Sequence, residues 1–204
     1  KAQAVFGSGT ASLNFALRGA VDLRASALAV AATFAGAALG ALSVQQLDPS
    51  LLERLIPVLL IAFALYFLVS PRVSDVDSHQ RLTLGTFGLT IGFGVGFYDG
   101  FFGPGTGTFF SMGCVAFLGY GLRRATALSK LLNFTSNLAA LLVFLPGGHV
   151  IWAIAAVMAV GQTLGAWLGS HLVLRHGAGL VRPMLVGSSL LISGKLLFDR
   201  WNGG

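Results

Sequence analysis

Charge is scarce in this sequence, and cysteine is nearly missing. Only 10% of the 204 residues are charged, where soluble domains carry about 25%. With 55% of residues hydrophobic, the chain cannot cover its own surface with polar groups, so lipid must face much of it. The single cysteine, Cys114, excludes an internal disulfide and any CxxC metal site; it lies in an apolar run and reads as a small packing residue. Acids are the rarest charge, seven against 13 Lys and Arg, for a net charge of +6. That balance does not point to nucleic acid. The arginines sit in short gaps between apolar runs and form no patch, which is how topogenic charges hold loops on the cytoplasmic side. The histidines at 79, 149, 171 and 176 lack metal-ligand clustering, and neither HExxH nor GxSxG occurs. No enzyme and no cofactor is expected. No charged region precedes an apolar stretch at Lys1, so the start does not read as a signal peptide.

What is abundant is apolar length and glycine. A bilayer span needs about 20 mainly apolar residues. Runs bounded by charge or turn residues fall at 1–17, 25–47, 51–69, 125–145, 150–174 and 181–198, with two shorter pieces at 82–97 and 106–119. The short pieces reach roughly 21–24 Å at ~1.5 Å per residue, less than a ~30 Å hydrocarbon core. They are expected either as short spans or as a re-entrant hairpin with its tip inside the membrane. Turn residues fit the gaps at 146–148 and 176–179. The 28 glycines suit membrane helices packed backbone to backbone. The expected fold is therefore an all-α polytopic membrane bundle.

The chain also repeats itself. Under a shift of 129 residues, Lys1 falls on Lys130, Gly19 on Gly148, and Gly36-Ala37-Ala38-Leu39-Gly40 on Gly165-Ala166-Trp167-Leu168-Gly169. After a three-residue gap, Pro57 meets Pro183. This divides the chain into a partial first repeat at 1–70, a polar linker at 71–81 and a second repeat at 82–200. The first repeat's own copy of the short hairpin is expected upstream of Lys1. If pieces 82–97 and 106–119 return to the side they started from, eight arginines (18, 24, 72, 81, 123, 124, 175 and 182) share one side and two (54 and 200) lie opposite. A single crossing would split them five and five. The positive-inside rule favours the first arrangement, which makes the repeats inverted, a design that puts transporter substrate sites near the midplane. The glycine pairs 36/40 and 165/169 are expected as helix-packing seams.

Chemistry concentrates between Gly92 and Thr108, where glycine recurs at 92, 94, 96, 100, 103, 105 and 107. Such a run is not expected to be helical throughout. Freed backbone groups at membrane depth must be satisfied by protein or water, so this stretch should line a cavity. A helix starting near Thr106 would aim a positive dipole end and free N–H groups into it, which suits an anion; Gly103, Gly105, Gly107, Thr106 and Thr108 join the candidate binding set. The run Gly103-Pro104-Gly105-Thr106-Gly107 lacks the Lys-Ser/Thr ending of a nucleotide loop. Asp99 is the only acid within an apolar stretch and so a functional candidate. Binding a coupling proton and holding the broken backbone are both open to it. Lys130, Asn133 and Asn137 share one helix face, a polar stripe on an apolar helix where the lysine could attract an anion or snorkel to the interface. Lys1, its repeat mate, joins the set. Lys195 and Asp199 read as interfacial.

These residues carry a resemblance. Gly96-Phe-Tyr-Asp-Gly-Phe-Phe-Gly-Pro-Gly-Thr-Gly-Thr-Phe109, followed by Arg124-Ala-Thr-Ala-Leu-Ser-Lys-Leu-Leu-Asn-Phe-Thr-Ser-Asn137, resembles the TauE/SafE sulfite exporter family (TSUP), in its YfcA-like branch, over essentially the whole chain. The resemblance implies a multi-pass permease of the bacterial inner membrane with two repeats. It also implies export of sulfur-containing anions such as sulfite, sulfoacetate or other organosulfonates by secondary transport. The partners it implies are a small anion and the lipid bilayer, with homo-oligomerisation left open. A permease for an amino acid or metal ion, and a non-transporting membrane scaffold, are the competing expectations.

Overall fold

The fold is known from a computed structural model, which describes residues 1–47, 77, 79–148 and 150–176. The runs at 51–69 and 181–198, with Arg54, Arg72, Arg182, Lys195, Asp199 and Arg200, lie outside the described residues, as does the Pro57/Pro183 match.

Within the described residues the chain is helical and has no strand. Helices α1 (Ala2–Leu17) and α2 (Ala27–Gln45) come first. A nearly continuous helix follows: α3 (Leu84–Phe87), one π turn (Gly88–Gly92) and α4 (Phe93–Phe101). Then come α5 (Thr106–Leu118), α6 (Leu122–Phe144), a 3₁₀ turn at Leu145–Gly147 and α7 (Trp152–His176). Three stretches, Ala27–Gln45, Leu122–Gly147 and Trp152–Arg175, are long and apolar enough to cross a membrane. Away from Arg123 and Arg124, their large exposed side chains are mainly apolar, among them Leu39, Leu142, Val157, Leu164 and Trp167. Such a surface is compatible with lipid and not with water.

Contacts fix the helix directions. Along α1, Gly9 meets the Phe134 ring and Phe15 clusters with Ala127, so α1 and α6 run antiparallel. Gly7 faces Gln162, and Asn14 Nδ2 donates to Ser170 Oγ at 2.8 Å, so α1 and α7 run parallel. Gly88 abuts Ala29, Gly96 abuts Thr33 and Gly100 abuts Ala37, so α2 runs parallel to α3 and α4. The N–H groups of Arg81 and Leu82 both donate to Phe117 O at 2.9 Å, while Thr106 bonds Asp99. Helices α4 and α5 therefore form an antiparallel hairpin. All six described arginines (18, 24, 81, 123, 124 and 175) fall at the end of the bundle where that hairpin starts and finishes. Arg124 lies over the Tyr120 ring at 3.8 Å, and Asp77 accepts from the Gly121 N–H that opens α6.

The hairpin tip stops inside the bundle. Ser136, level with the tip, lies twelve residues beyond Arg124 in α6, or ~18 Å at ~1.5 Å per residue. Helix α6 then continues to Phe144, another ~12 Å. Within the described residues the two short pieces form an antiparallel hairpin whose tip lies partway along α6.

The run from Gly92 to Thr108 is, as expected, not helical throughout, and its break is narrow. The glycine run remains helical through Phe101, and the backbone breaks only at 102–105. Glycines 88, 92, 96 and 100 recur every fourth residue and so share one face. That face lies directly on α2: a Cβ at Gly96 would come within 2.6 Å of Thr33 O, and one at Gly100 would overlap Ala37 O. Reciprocally, Gly36 and Gly40 of α2 leave no room for a Cβ against Phe93 O and Phe97 O. Glycine here purchases no flexibility; close approach of two backbones offsets its poor helix propensity. The expected seam at 36/40 is formed. The one at 165/169 is not formed by described residues, since nothing among them lies within 4 Å of a Cβ built there. The difference is the neighbour: α2 meets a second glycine-faced helix, whereas this face of α7 borders a cavity.

Gly100→Ala should lower the thermal unfolding midpoint in detergent, because overpacking against backbone costs about 1–3 kcal/mol or more. Gly94→Ala, with nothing within 4 Å of its Cβ, should leave the midpoint unchanged or raise it, alanine being favoured in helices by up to about 1 kcal/mol.

Candidate functional site

The break at 102–105 turns the chain between α4 and α5 with two glycines at positive φ, Gly103 at 100° and Gly105 at 80°. Tyr98 Oη donates to Pro104 O at 2.5 Å. The buried carboxylate of Asp99, 2% exposed, gathers the helices around this tip. Lys1, which caps the start of α1, donates from Nζ to Asp99 Oδ1 at 2.6 Å. Thr106 Oγ1, at the start of α5, lies 2.9 Å from the same oxygen and 2.5 Å from Gly103 O. Ser136 of α6 donates to Oδ2 at 2.5 Å and lies 3.1 Å from Asn133 O. An isolated buried carboxylate would be very costly, but one ammonium and two hydroxyls satisfy this one. Asp99 thus does hold the broken backbone in place.

The tip opens onto a cavity of about 1200 Å³. All ten candidate residues line it: Lys1, Asp99, Gly103, Gly105, Thr106, Gly107, Thr108, Lys130, Asn133 and Asn137. The other walls come from α1 and α7, including Gly161, Gly165 and Gly169. Sequence spacing alone could not join Lys1 to this site; the antiparallel packing of α1 on α6 does.

Electrostatically the cavity is lopsided. Its charged lining residues are Lys1, Asp99 and Lys130. Lys1 and Asp99 neutralise each other. Among the described residues Lys130 has no carboxylate partner, so the site keeps one net positive charge. Lys130 is half-buried and points inward, not out to the interface: its Nζ lies 4.0 Å, and Asn133 Nδ2 3.4 Å, from where a Cβ on Gly107 would stand. A Cβ at 107 would stand in ordinary contact with both groups.

The helix end is less open than the sequence implies. The N–H groups of Thr106 and Thr108 are taken by turn bonds to Gly103 O and Gly105 O. Those of Gly105 and Gly107 find no acceptor among the described residues. The Thr106 hydroxyl turns to Asp99 instead of the cavity, and Asn137 Nδ2 is held by Asn133 Oδ1 at 2.8 Å. Asn133 Nδ2 and Lys130 Nζ are the side-chain donors left beside Gly107.

Sequence reasoning missed Ser136, Ser129 and Gln162. Ser129 Oγ donates to Gly107 O at 2.7 Å, tying α6 to the start of α5. Both serines extend the polar stripe at helical spacing, at 129, 133 and 136–137, and that periodicity could have found them. Gln162 stands alone on an apolar helix and carries no such signal. No group of three or more His, Cys, Asp or Glu that could hold a metal exists among the described residues.

The family described as Sulfite exporter TauE/SafE matches residues 1–196. A "Probable membrane transporter protein" of Haemophilus influenzae is 44% identical over 200 residues, covering 98% of this chain and 78% of that protein. "Probable membrane transporter protein YfcA" of Escherichia coli K12 is 47% identical, covering 98% of this chain and 74% of its own length. "Probable membrane transporter protein ORF9" of a Sinorhizobium species is 45% identical, over 98% and 76%. No solved structure matches the chain.

Removing one partner of a buried ion pair costs about 3–5 kcal/mol, whereas replacing both costs much less. Asp99→Ala and Lys1→Ala should therefore each lower the unfolding midpoint strongly, and the double variant should be more stable than Asp99→Ala alone. A double-mutant cycle of thermal unfolding checks this; additive losses would mean that the two side chains do not interact.

Proposed function

This chain belongs to the sulfite exporter TauE/SafE family, and on that premise we propose that it is a permease of the bacterial inner membrane that exports small sulfur-containing anions by secondary transport. That it is a multi-pass membrane transporter follows from its relatives and its apolar helices. The substrate class and the direction are the proposal. Sulfite, sulfoacetate and other organosulfonates are the anions it names.

One observation carries the reading: inside an apolar bundle, the cavity holds an ammonium, Lys130, that no carboxylate among the described residues neutralises. A buried unpaired cation is costly, and a bound anion removes that cost. Asn133 Nδ2 and the N–H groups of Gly105 and Gly107 supply donors beside it, at a helix end whose dipole also favours negative charge. Oxyanions of sulfur offer several acceptor oxygens on one compact centre, which suits donors converging from a side chain, a loop and a helix end. A metal cation is disfavoured, because the one carboxylate that lines the cavity among the described residues is already neutralised by Lys1. The antiparallel run of α1 against α6, with Lys1 and Lys130 on one cavity, supports two inverted repeats around a midplane site.

Sulfite, thiosulfate, sulfoacetate, taurine and sulfate can be screened by thermal shift on the purified protein. A substrate at 100 times its Kd should stabilise by about 2.7 kcal/mol, and Lys130→Gln should remove that shift without lowering the unliganded midpoint. In proteoliposomes Lys130→Gln should reduce sulfite flux at least tenfold. Stabilisation by none of these anions, or undiminished flux in the variant, would overturn the reading.

A further inference from the structure

We infer that the arginine end of the bundle carries a second site, which seats the phosphate of an anionic phospholipid between Arg123 and Arg124. The site is a recess of about 490 Å³ walled by the α1–α2 loop, the start of α3 and the start of α6. Arg123 and Arg124 line it together with Tyr120, Asp22, Leu84 and Leu128. It is separate from the substrate cavity, and no described residue lines both. The cavity runs along the face of α6 that carries Leu122, Thr126 and Lys130. Arg124 and Leu128 lie about 160° around the helix from Thr126, at ~100° per residue.

Both guanidiniums have unused donors. Arg124 stands over the Tyr120 ring at 3.8 Å, a contact that holds the group by its face and leaves its N–H edge available. Asp77, the one described carboxylate within 4 Å of it, lies 3.8 Å away, which is beyond hydrogen-bond range. Arg123 has no carboxylate within 4 Å among the described residues. The recess also holds Asp22, whose Oδ1 accepts the Ala25 N–H at 3.0 Å and which pairs with neither arginine. The described lining therefore keeps one net positive charge. A phosphodiester carries one negative charge and brings that lining to neutrality, and its oxygens suit the forked donors of arginine. A doubly charged phosphomonoester would overshoot, with the Asp22 carboxylate beside it.

Position selects a lipid over a free anion. The shared arginine end is the cytoplasmic side by the positive-inside rule, and basic pockets between membrane helices on that side bind anionic headgroups. Tyr120 suits the headgroup level. Below the charges the surface turns apolar. Leu84 and Leu128 line the recess itself. Leu28, 49% exposed, reaches to 3.3 Å from where a Cβ on Gly85 would stand. Exposed Leu89 and Phe93 continue that strip along the hairpin arm toward its tip. Acyl chains can follow the strip while the phosphate stays between the arginines, whereas a free anion gains nothing from it. The inference needs only the membrane placement of the bundle and not the identity of the transported anion.

The test is thermal unfolding of the purified chain in a neutral detergent, titrated with phosphatidylglycerol, with phosphatidylcholine of the same acyl chains, or with inorganic phosphate. Phosphatidylglycerol should raise the midpoint saturably, and the other two should not. The double variant Arg123→Gln/Arg124→Gln should bind phosphatidylglycerol about tenfold more weakly or worse. Both side chains are exposed, so its unliganded midpoint should stay near that of wild type. Should the double variant not fold, Arg123→Gln alone, which removes no described contact, should weaken binding about threefold or more. Arg175 lies at the same end but outside the recess, and Arg175→Gln should bind as wild type does. Equal stabilisation by phosphatidylcholine would mean that acyl chains alone are held. A shift reproduced by inorganic phosphate would mean a free-anion site, and equal losses in Arg175→Gln and the double variant would mean diffuse surface charge. Any of these, or undiminished binding in the arginine variants, overturns the inference and leaves the transport reading standing.

Discussion

A chain that interrupts its backbone at membrane depth must satisfy the freed groups from within, and here that requirement falls on one carboxylate. Asp99 is bonded by Lys1 at the start of α1, Thr106 of α5 and Ser136 of α6, so the tip of the α4–α5 hairpin is fixed to the rest of the bundle through two oxygen atoms. Without that fixing point the glycines at 103 and 105 would leave the turn without a defined shape. The cavity would then lose the wall that carries the start of α5. The placement of Lys130 opposite Gly107 depends on the same geometry.

Glycine serves two purposes in this structure, and they divide at Phe101. Before it, glycines bring α4 against α2 at backbone contact, which holds the hairpin rigidly along its length. After it, Gly103 and Gly105 supply positive φ, and Gly107 lies beside Lys130 and Asn133 at the start of α5. A rigid arm carrying a shaped tip is a suitable support for a binding site, because the donors are then positioned before the ligand arrives.

Much of this was legible in the sequence. The apolar runs gave helices close to their observed limits, since period and length are strong signals in a chain with few charges. The arginine asymmetry implied a hairpin that returns, and the described arginines do share one end. The ten candidate residues meet on one cavity because the polar stripe on α6 and the Asp99–Thr108 segment stand out against an apolar background. Gly92, Gly94 and Gly96 lay in the piece expected at 82–97; the helix's continuation through Gly100 to Phe101 was not legible. Propensity argues against helix there, and tertiary contact with α2 overrides it. Ser136 was passed over because serine is common in membrane helices, and only its meeting with Asp99 singles it out. The direction in which the Thr106 hydroxyl points depends on a partner distant in sequence.

The central claim is that the hairpin tip borders a water-filled, anion-seeking space instead of lipid. Rates of modification by a membrane-impermeant thiol reagent test it directly, in a Cys114→Ser background carrying Thr108→Cys or Val157→Cys. The account predicts that position 108 reacts readily from the aqueous phase and is protected several-fold by saturating sulfite, while position 157 stays inert. An inert position 108, or one whose rate ignores the anion, would contradict it.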